Sequence, residues 1–223
     1  MPLDVAIPDF KFLKAADFAG MIDPARTAVF AIDFQRDFCA TDGFSAKVGS
    51  DMSTMEPAID AALDVIQAGR KAGLKLVFMR VITREETDPA VLKRLMDRRG
   101  RSGGQGLCRA GTPGADYYRV KPEPGDIEIE KIRFDSFIET DLDEQLRANG
   151  IDTLIVTGVS TSHCVYATCR DATDCFRVIV PREAVGERCE LMHEVFLHDI
   201  DIDLGDVVPL ADVVGYLAQQ VRE

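Results

Sequence analysis

The sequence predicts an α/β fold in which helices cover both faces of a mostly parallel β-sheet. Short apolar segments alternate with longer segments of helical spacing from residue 27 to the end of the chain. Several apolar segments, such as 153–158, have no polar face, as expected of strands that are buried on both sides. The alternation implies three layers, α/β/α, with right-handed crossovers between the strands.

Six segments are predicted as strands. Five of them are short runs of Val, Ile, Leu, Phe and other apolar residues, whereas 127–131 alternates apolar and charged residues. In chain order the predicted strands are 27–33, 74–82, 127–131, 153–158, 176–180 and 207–208.

Six segments are predicted as helices. The first has Ile59, Leu63 and Ile66 at helical spacing, and Gly73 follows it as a stop signal. In chain order the predicted helices are 54–72, 88–99, 141–149, 162–175, 190–197 and 209–222.

The remaining stretches are predicted to be irregular. Residues 1–26 are expected to contain one short helical turn, and 35–50 is a loop rich in Gly, Asp and Ser. The stretch 100–114 is rich in Gly, and long loops of this kind are often functional. The alternative for this stretch is a mobile surface excursion.

Length and composition favour one globular domain, 1–223. The chain has 223 residues, and 46% of them are hydrophobic, which is enough for a sizeable core and argues against disorder. No internal repeat or linker marks a boundary. The formal net charge of −12 argues against a nucleic-acid partner, because such binding requires clustered Lys and Arg.

The sequence also predicts a cytoplasmic protein without a membrane partner. No apolar run reaches the ~18–20 residues that span a bilayer. Residues 1–14 lack the charged and apolar regions of a signal peptide. The six cysteines form no CxxC pair and do not resemble a disulfide framework.

The most informative stretch is 156–172. A predicted strand ends at Gly158, and a helix is expected to begin near Cys164. The positive end of a helix lowers the pKa of a thiol, and its free N–H groups can hold an oxyanion. We therefore expect a lowered pKa and a nucleophilic role for Cys164. The alternative is a small buried hydrophobic residue, as most free cysteines are.

Asp33 and Lys131 each end a predicted strand. The carboxyl ends of parallel strands meet at one edge of a sheet, where ligands bind. A buried carboxylate needs a partner, and Lys131 could stabilise both Asp33 and a thiolate. A plain ion pair would explain these two residues equally well.

Three motifs follow one another in the chain: Ile32-Asp-Phe-Gln-Arg-Asp-Phe38, Lys131-Ile-Arg-Phe-Asp-Ser-Phe137 and Gly158-Val-Ser-Thr-Ser-His-Cys-Val165. Their order and content resemble the isochorismatase-like cysteine hydrolase family, and the resemblance covers residues 27–215. Together the motifs are specific, although each alone is weak. The resemblance implies a Rossmann-like fold of the isochorismatase type.

The resemblance also implies a catalytic triad of Cys164, Asp33 and Lys131. It implies a cis peptide between Val159 and Ser160, and an oxyanion hole made by the N–H groups of Ser160 and Cys164. Asp33 would take the thiol proton, and the thiolate would form a thioester with release of ammonia, which water then hydrolyses. The expected enzyme is therefore a hydrolase of linear amides, acting on C–N bonds other than peptide bonds.

Five residues are candidates for substrate binding by resemblance. Arg188 would clamp a substrate carboxylate, and its alternative is a surface arginine. Phe38 and Phe137 would line the pocket, although aromatic residues more often belong to a core. Gln35 and Thr161, which lie in the motifs, complete the set.

No metal or other cofactor is predicted. Metal-dependent members of the family carry an Asp-x-His element after the second strand, whereas 79–86 contains no His. The three histidines, His163, His193 and His198, form no cluster with ligand spacing. The expected partners are a small amide or ureide substrate and further copies of the chain, as a dimer or tetramer.

The segment Val185-Gly-Glu-Arg188 is most similar to the N-carbamoylsarcosine amidase and maleamate amidase branch. Two alternatives remain open. The first is a ureide hydrolase acting on biuret-, triuret- or ureidoacrylate-like compounds. The second is a non-catalytic binding or redox-sensing protein whose thiol oxidises reversibly.

Two residues depart from the family pattern. Asp135 stands where a small Ser is common, and His163 stands where Gly or Val is usual. Either side chain could alter the choice of substrate, so the sequence leaves the substrate open.

Overall fold

The computed structural model describes residues 15–100 and 106–221. Its centre is a seven-stranded parallel sheet in the order β3-β2-β1-β4-β5-β7, with β6 paired to β4. The strands are β1 (Thr27–Ile32), β2 (Lys75–Val81), β3 (Ile127–Lys131), β4 (Thr153–Val159), β5 (Arg177–Pro181), β6 (Val185–Gly186) and β7 (Asp206–Val208).

Helices flank this sheet. They are α1 (Arg36–Cys39), α2 (Phe44–Lys47), α3 (Met55–Ala72), α4 (Ala90–Arg98), α5 (Leu142–Ala148), α6 (Tyr166–Ala172), α7 (Glu190–Asp199) and α8 (Leu210–Gln219). Short 3₁₀ turns occupy Ala15–Gly20, Pro113–Ala115 and Arg182–Ala184, and π-helical turns occupy Thr161–Val165 and Ile200–Leu204.

Two apolar clusters lie on opposite faces of the sheet. In β1, Val29 and Ala31 point into the cluster that contains α3 and α8. Ala28, Phe30 and Ile32 point into the cluster that contains α5, α6 and α7. Alternate side chains of one strand thus enter both layers, which confirms the predicted three-layer α/β/α fold.

Most predicted elements are found within a few residues of their expected ends. Three differences matter for the site. The segment 35–50, predicted as a loop, contains α1 and α2, and β6 was not predicted at all. The helix predicted from residue 162 starts as a π-helical turn and becomes regular only at Tyr166. The predictions for 1–14, 101–105 and 222–223 lie outside the described residues.

None of the helices within the two described ranges has the length and apolar character needed to cross a lipid bilayer.

Candidate active site

Asp33 follows β1 directly and is fully buried. Its backbone has φ +57°, a left-handed conformation that costs a non-glycine residue roughly 1–2 kcal/mol. Its N–H still donates to the carbonyl of Met79 in β2, at 3.0 Å. Strained residues of this kind cluster at functional sites, which makes the end of β1 a candidate site.

Lys131 ends β3 and is 1% exposed. Its Nζ atom donates to Oδ2 of Asp33 at 2.8 Å and to the carbonyls of Arg133 and Phe134 at 3.1 and 2.9 Å. An ammonium group has three N–H donors, so these three acceptors satisfy it completely. The same contacts fix the loop that follows β3 against the carboxylate.

Cys164 is 4% exposed and lies beside both charged groups. Its thiol interacts with Asp33 and with Lys131, although Oδ1 of Asp33 has no well-aligned hydrogen-bond partner among the described residues. This oxygen is therefore the one available to accept the thiol proton. The structure brings the three predicted catalytic residues together at one edge of the sheet.

The protonation of this cluster differs from the sequence-based expectation. Burial raises the pKa of Cys164 well above its usual range, and the Asp33 charge adds to this effect against the opposing charge of Lys131. The predicted lowering of the pKa of this thiol was wrong. The reason is that Cys164 sits in a π-helical turn and is covered by its neighbours, so the thiol is neutral at rest.

The pKa values of the two charged residues are also shifted. Burial raises the pKa of Asp33, and the charge of Lys131 only partly offsets this. Burial alone would lower the pKa of Lys131, but the negative charge of Asp33 and the hydrogen bond to it act against burial, and the pKa is raised. Lys131 therefore remains an ammonium group at neutral pH.

Gly158 brings β4, which precedes the turn to Cys164, close to β1, which precedes Asp33. It pairs with Ile32 in the β1–β4 register, one residue before Asp33. A Cβ atom at Gly158 would lie 2.6 Å from both Cβ and the carbonyl oxygen of Ile32, and its φ of +148° disfavours other residues. Only glycine allows this approach without displacement of β1.

The turn between Gly158 and Cys164 has an unusual backbone. The peptide bond between Val159 and Ser160 is cis. The N–H groups of His163 and Val165 both donate to the carbonyl of Ser160, at 3.0 and 3.3 Å. These two hydrogen bonds fix the backbone of the turn on both sides of Cys164.

Glu187, which follows the unpredicted strand β6, supports this turn. Its carboxylate is 1% exposed and accepts hydrogen bonds from the backbone N–H of Ser162 and of Arg188, both at 2.8 Å. It follows β6, whose residues pair with Gly158 and Val159. A two-residue strand has no periodicity to detect. The segment 185–188 resembles relatives as a whole, but nothing about Glu187 itself indicated that it would hold the turn.

Gln35 is fully buried and bound to backbone groups. Its Nε2 donates to the carbonyls of Val81 and Ala115 at 2.8 and 2.9 Å, and its Oε1 accepts from the N–H of Val81 at 2.8 Å. Both amide N–H donors are used, so this side chain joins the turn at Ala115 to the end of β2.

The other predicted binding residues are mostly engaged inside the protein. Phe137 stacks on Phe176 with ring centroids 5.8 Å apart, and Phe38 packs against the buried clusters. The Thr161 hydroxyl donates to the carbonyl of Gly186 at 3.1 Å, and the oxygen of this hydroxyl lies 2.9 Å from Nδ1 of His193. These contacts tie the nucleophile turn to β6 and α7.

Three half-exposed or exposed side chains contact one another beside the turn that carries Cys164. The Arg188 side chain is 46% exposed, and its Nη2 lies 3.0 Å from Nε2 of His163. The His163 ring meets the Phe134 ring edge to face, with centroids 5.6 Å apart. We call Phe134, His163 and Arg188 the rim.

Asp135 lies next to the rim. It is 9% exposed, and its Oδ1 accepts the N–H of Phe137 at 2.8 Å. Burial raises its pKa, with a contribution from the charge of Asp171. Through this hydrogen bond, the carboxylate stabilises the loop that follows Lys131.

No group of three or more His, Cys, Asp and Glu side chains within 15–100 and 106–221 is arranged to hold a metal ion. The six cysteines are all free thiols.

The Isochorismatase domain family matches residues 27–212. The chain belongs to the isochorismatase family. A ureidoacrylate amidohydrolase, RutB of Methylobacterium radiotolerans, is 28% identical over 207 residues, which are 85% of this chain and 79% of that protein. An N-carbamoylsarcosine amidase of Arthrobacter sp is 44% identical over 100 residues, which are 44% of this chain and 38% of that protein.

A solved structure, a cysteine hydrolase from Pseudomonas syringae pv. phaseolicola 1448A, has the same fold. It superposes with a TM-score of 0.78 at 23% identity and covers 97% of this chain and 100% of its own. The predicted family and the predicted enzyme class, hydrolases of C–N bonds other than peptide bonds, are confirmed by the family match and the two named relatives.

Proposed function

We propose that this protein is a metal-independent cysteine amidohydrolase. It cleaves a carbamoyl or amide C–N bond in a small molecule, and it releases ammonia. The observation that carries the proposal is the buried cluster in which the Lys131 ammonium binds the Asp33 carboxylate at 2.8 Å beside the Cys164 thiol.

The reaction begins with a neutral thiol. As the sulfur of Cys164 attacks the carbonyl carbon, its proton moves to Oδ1 of Asp33, the carboxylate oxygen without a well-aligned partner. The new C–S bond gives a tetrahedral intermediate. The protonated Asp33 then passes its proton to the departing nitrogen, so that ammonia leaves and a thioester remains.

The second half of the reaction uses the same residues. Asp33 takes a proton from a water molecule, and the resulting hydroxide adds to the thioester carbon. When the C–S bond breaks, the proton returns to the sulfur, and the carbonyl carbon leaves as a carboxylic or carbamic acid. Cys164 and Asp33 are thus restored without a redox step.

The backbone N–H groups of Ser160 and Cys164 would bind the oxyanion of the tetrahedral intermediate. Glu187 and the carbonyl of Ser160 hold the surrounding turn in place. Preorganised N–H donors stabilise the charge of the transition state without reorganisation, and one such donor is worth about 3–4 kcal/mol.

Two substrate groups fit this proposal. N-carbamoyl amino acids and maleamate-like amides contain both the scissile C–N bond and a carboxylate that Arg188 could bind. Ureidoacrylate-like and biuret-like ureides form the second group, and the long alignment with a ureidoacrylate amidohydrolase favours ureidoacrylate within it.

A non-catalytic thiol sensor fits the site less well. Sensor cysteines have lowered pKa values and are accessible to solvent. Cys164 is 4% exposed, and burial raises its pKa.

The proposal is tested by ammonia release from a panel of N-carbamoyl amino acids, maleamate, biuret, triuret and ureidoacrylate. At least one compound should be hydrolysed, with the same rate before and after exhaustive chelation. Cys164→Ala should remove turnover, whereas Cys175→Ala, which alters an exposed thiol, should not. An unaffected Cys164→Ala variant or a rate restored by added metal would contradict the proposal.

We also propose a cytoplasmic homo-oligomer, a dimer or tetramer. Apolar side chains that are exposed in the isolated chain support self-association, since large exposed apolar groups often mark contacts between proteins. They include Phe134, Ile138, Leu191, Val195 and Ile202. Light scattering of the purified protein would give its mass, and a monomer would contradict this part of the proposal.

A further inference from the structure

The hydrogen bond between Arg188 and His163 determines the protonation of the histidine. A guanidinium group can only donate, so Nε2 of His163 must accept from Nη2 of Arg188 at 3.0 Å. The proton of the neutral ring then lies on Nδ1, which donates to the Ser162 hydroxyl at 2.7 Å. His163 is therefore held as one tautomer by partners on both sides.

The ring of His163 is also fixed by packing. It meets the ring of Phe134 edge to face, and the carbonyl of Phe134 accepts a hydrogen bond from Lys131 at 2.9 Å. The next residue after His163 is Cys164. The histidine is thus linked to the catalytic cluster from two directions.

Arg188 is less firmly held than His163. Within the described part of the chain, its guanidinium contacts are Nε2 of His163 and, at 3.8 Å, Oε1 of Glu187. The longer contact exceeds a hydrogen bond, so His163 is the group that sets the direction of the guanidinium. The remaining N–H donors of this half-exposed arginine are available to a ligand.

We propose that His163 is a positioning residue that aims the Arg188 guanidinium at the carboxylate of the substrate and so makes the site selective for anionic amides. This inference rests on the proposed function. It concerns a residue that departs from the family pattern.

The charges around the ring support this arrangement. Burial and the charge of Arg188 lower the pKa of His163, while Glu187 acts in the opposite direction. The ring stays neutral near pH 7, and a neutral ring is required for Nε2 to accept from a cation.

The first test compares an N-carbamoyl amino acid with its methyl ester, which lacks the negative charge. His163→Phe keeps a ring against Phe134 but removes the acceptor, and the preference for the acid should fall about tenfold, mainly through KM. His163→Gln offers an oxygen near the position of Nε2 and should recover most of the preference. Arg147→Gln removes a surface arginine that pairs with Asp143, and it serves as the net-charge control for the Arg188→Gln variant of the second test.

The second test is a double-mutant cycle. If His163 acts through Arg188, Arg188→Gln should lower the same preference, and His163→Phe added to it should have little further effect. Independent, additive effects of the two substitutions would overturn the proposal. So would an unchanged preference in His163→Phe.

A third measurement does not need turnover. Imidazole ¹⁵N chemical shifts should identify His163 as the Nδ1–H tautomer. The signals of His163 are assigned by their absence from the spectrum of His163→Phe. Arg188→Gln removes a cation that lowers the pKa of His163, so this pKa should rise. An unchanged tautomer and pKa would overturn the positioning role alone, whereas failure of the unaltered protein to hydrolyse any compound would overturn the proposed function.

Discussion

The Lys131 ammonium and the Asp33 carboxylate are 2.8 Å apart, although 98 residues separate them in the chain. Lys131 ends β3 and Asp33 follows β1, and these strands are not neighbours, because β2 lies between them. Both side chains are fully buried. A buried ion pair that reaches across a strand is costly to desolvate, so its presence at the edge where ligands bind indicates chemistry more than stability.

Removal of one partner of this pair should destabilise the fold strongly. Lys131→Met leaves the Asp33 carboxylate buried without a counter-charge, and we expect a loss of about 3–5 kcal/mol in the free energy of unfolding. The double variant Asp33→Asn with Lys131→Met should lose less than the sum of the two single variants. Urea denaturation measures the free energy of unfolding of the single and double variants. Additive losses would show that the two side chains are not coupled.

The rate should depend on pH through the ionisation of Asp33. The carboxylate must be deprotonated to take the thiol proton, and burial raises its pKa above the ordinary value of 3.8. We therefore expect kcat/KM to fall as the pH is lowered through this raised pKa, while circular dichroism shows an intact fold. A rate that stays constant down to pH 3.8 would contradict the assignment of the base.

The thiol should titrate far above neutral pH. Because the pKa of Cys164 is raised, alkylation of this residue by iodoacetamide should accelerate steadily through the neutral range. The extent of modification can be followed by mass spectrometry, with the exposed Cys175 as an internal reference. A plateau of the Cys164 rate below pH 7 would indicate a preformed thiolate instead.

Gly158→Ala should damage both stability and turnover. The new Cβ atom would lie 2.6 Å from Ile32 and would push β4 away from β1, so a loss of roughly 1–3 kcal/mol is expected. The matched control is Gly215→Ala in α8, where nothing lies within 4 Å. Alanine favours a helix, so the control should gain about 0.5–1 kcal/mol in thermal or urea unfolding.

Glu187→Gln should lower kcat with a small effect on folding. An amide offers one acceptor where the carboxylate accepts from both Ser162 and Arg188, and the lost charge-assisted bond corresponds to about a tenfold effect. Glu183→Gln is the control, since that carboxylate also accepts a backbone N–H, that of Leu210, away from the site. An equal loss of kcat in the two variants would contradict a specific role of Glu187 in holding the turn before Cys164.

The sequence was sufficient to predict that Asp33, Lys131 and Cys164 lie together, because each follows an apolar or alternating strand and the family resemblance points to the same three residues. Parallel strands bring such ends together whatever the details of packing. The pairing of Asp33 with Lys131 is thus predictable from the sequence. The fold class followed from the same alternation of strands and helices.

Other features depend on tertiary packing and could not be predicted. The π-helical turn around Cys164 consists of small and polar residues that are equally compatible with a regular helix start. The raised pKa of this thiol results from burial by distant segments. Gln35 was predicted to bind substrate from its place in a motif, but only the structure reveals that both its N–H donors are used by backbone carbonyls.

One carboxylate, that of Glu187, holds both the turn that leads to Cys164, through the N–H of Ser162, and the backbone of Arg188. Loops that select substrates can usually be exchanged between relatives without touching the reactive groups. Here a segment 185–188 transplanted from a relative without this glutamate would also leave the turn before Cys164 without its support. Redesign of the specificity of this enzyme therefore has to graft residues 185–188 as one block together with 158–164.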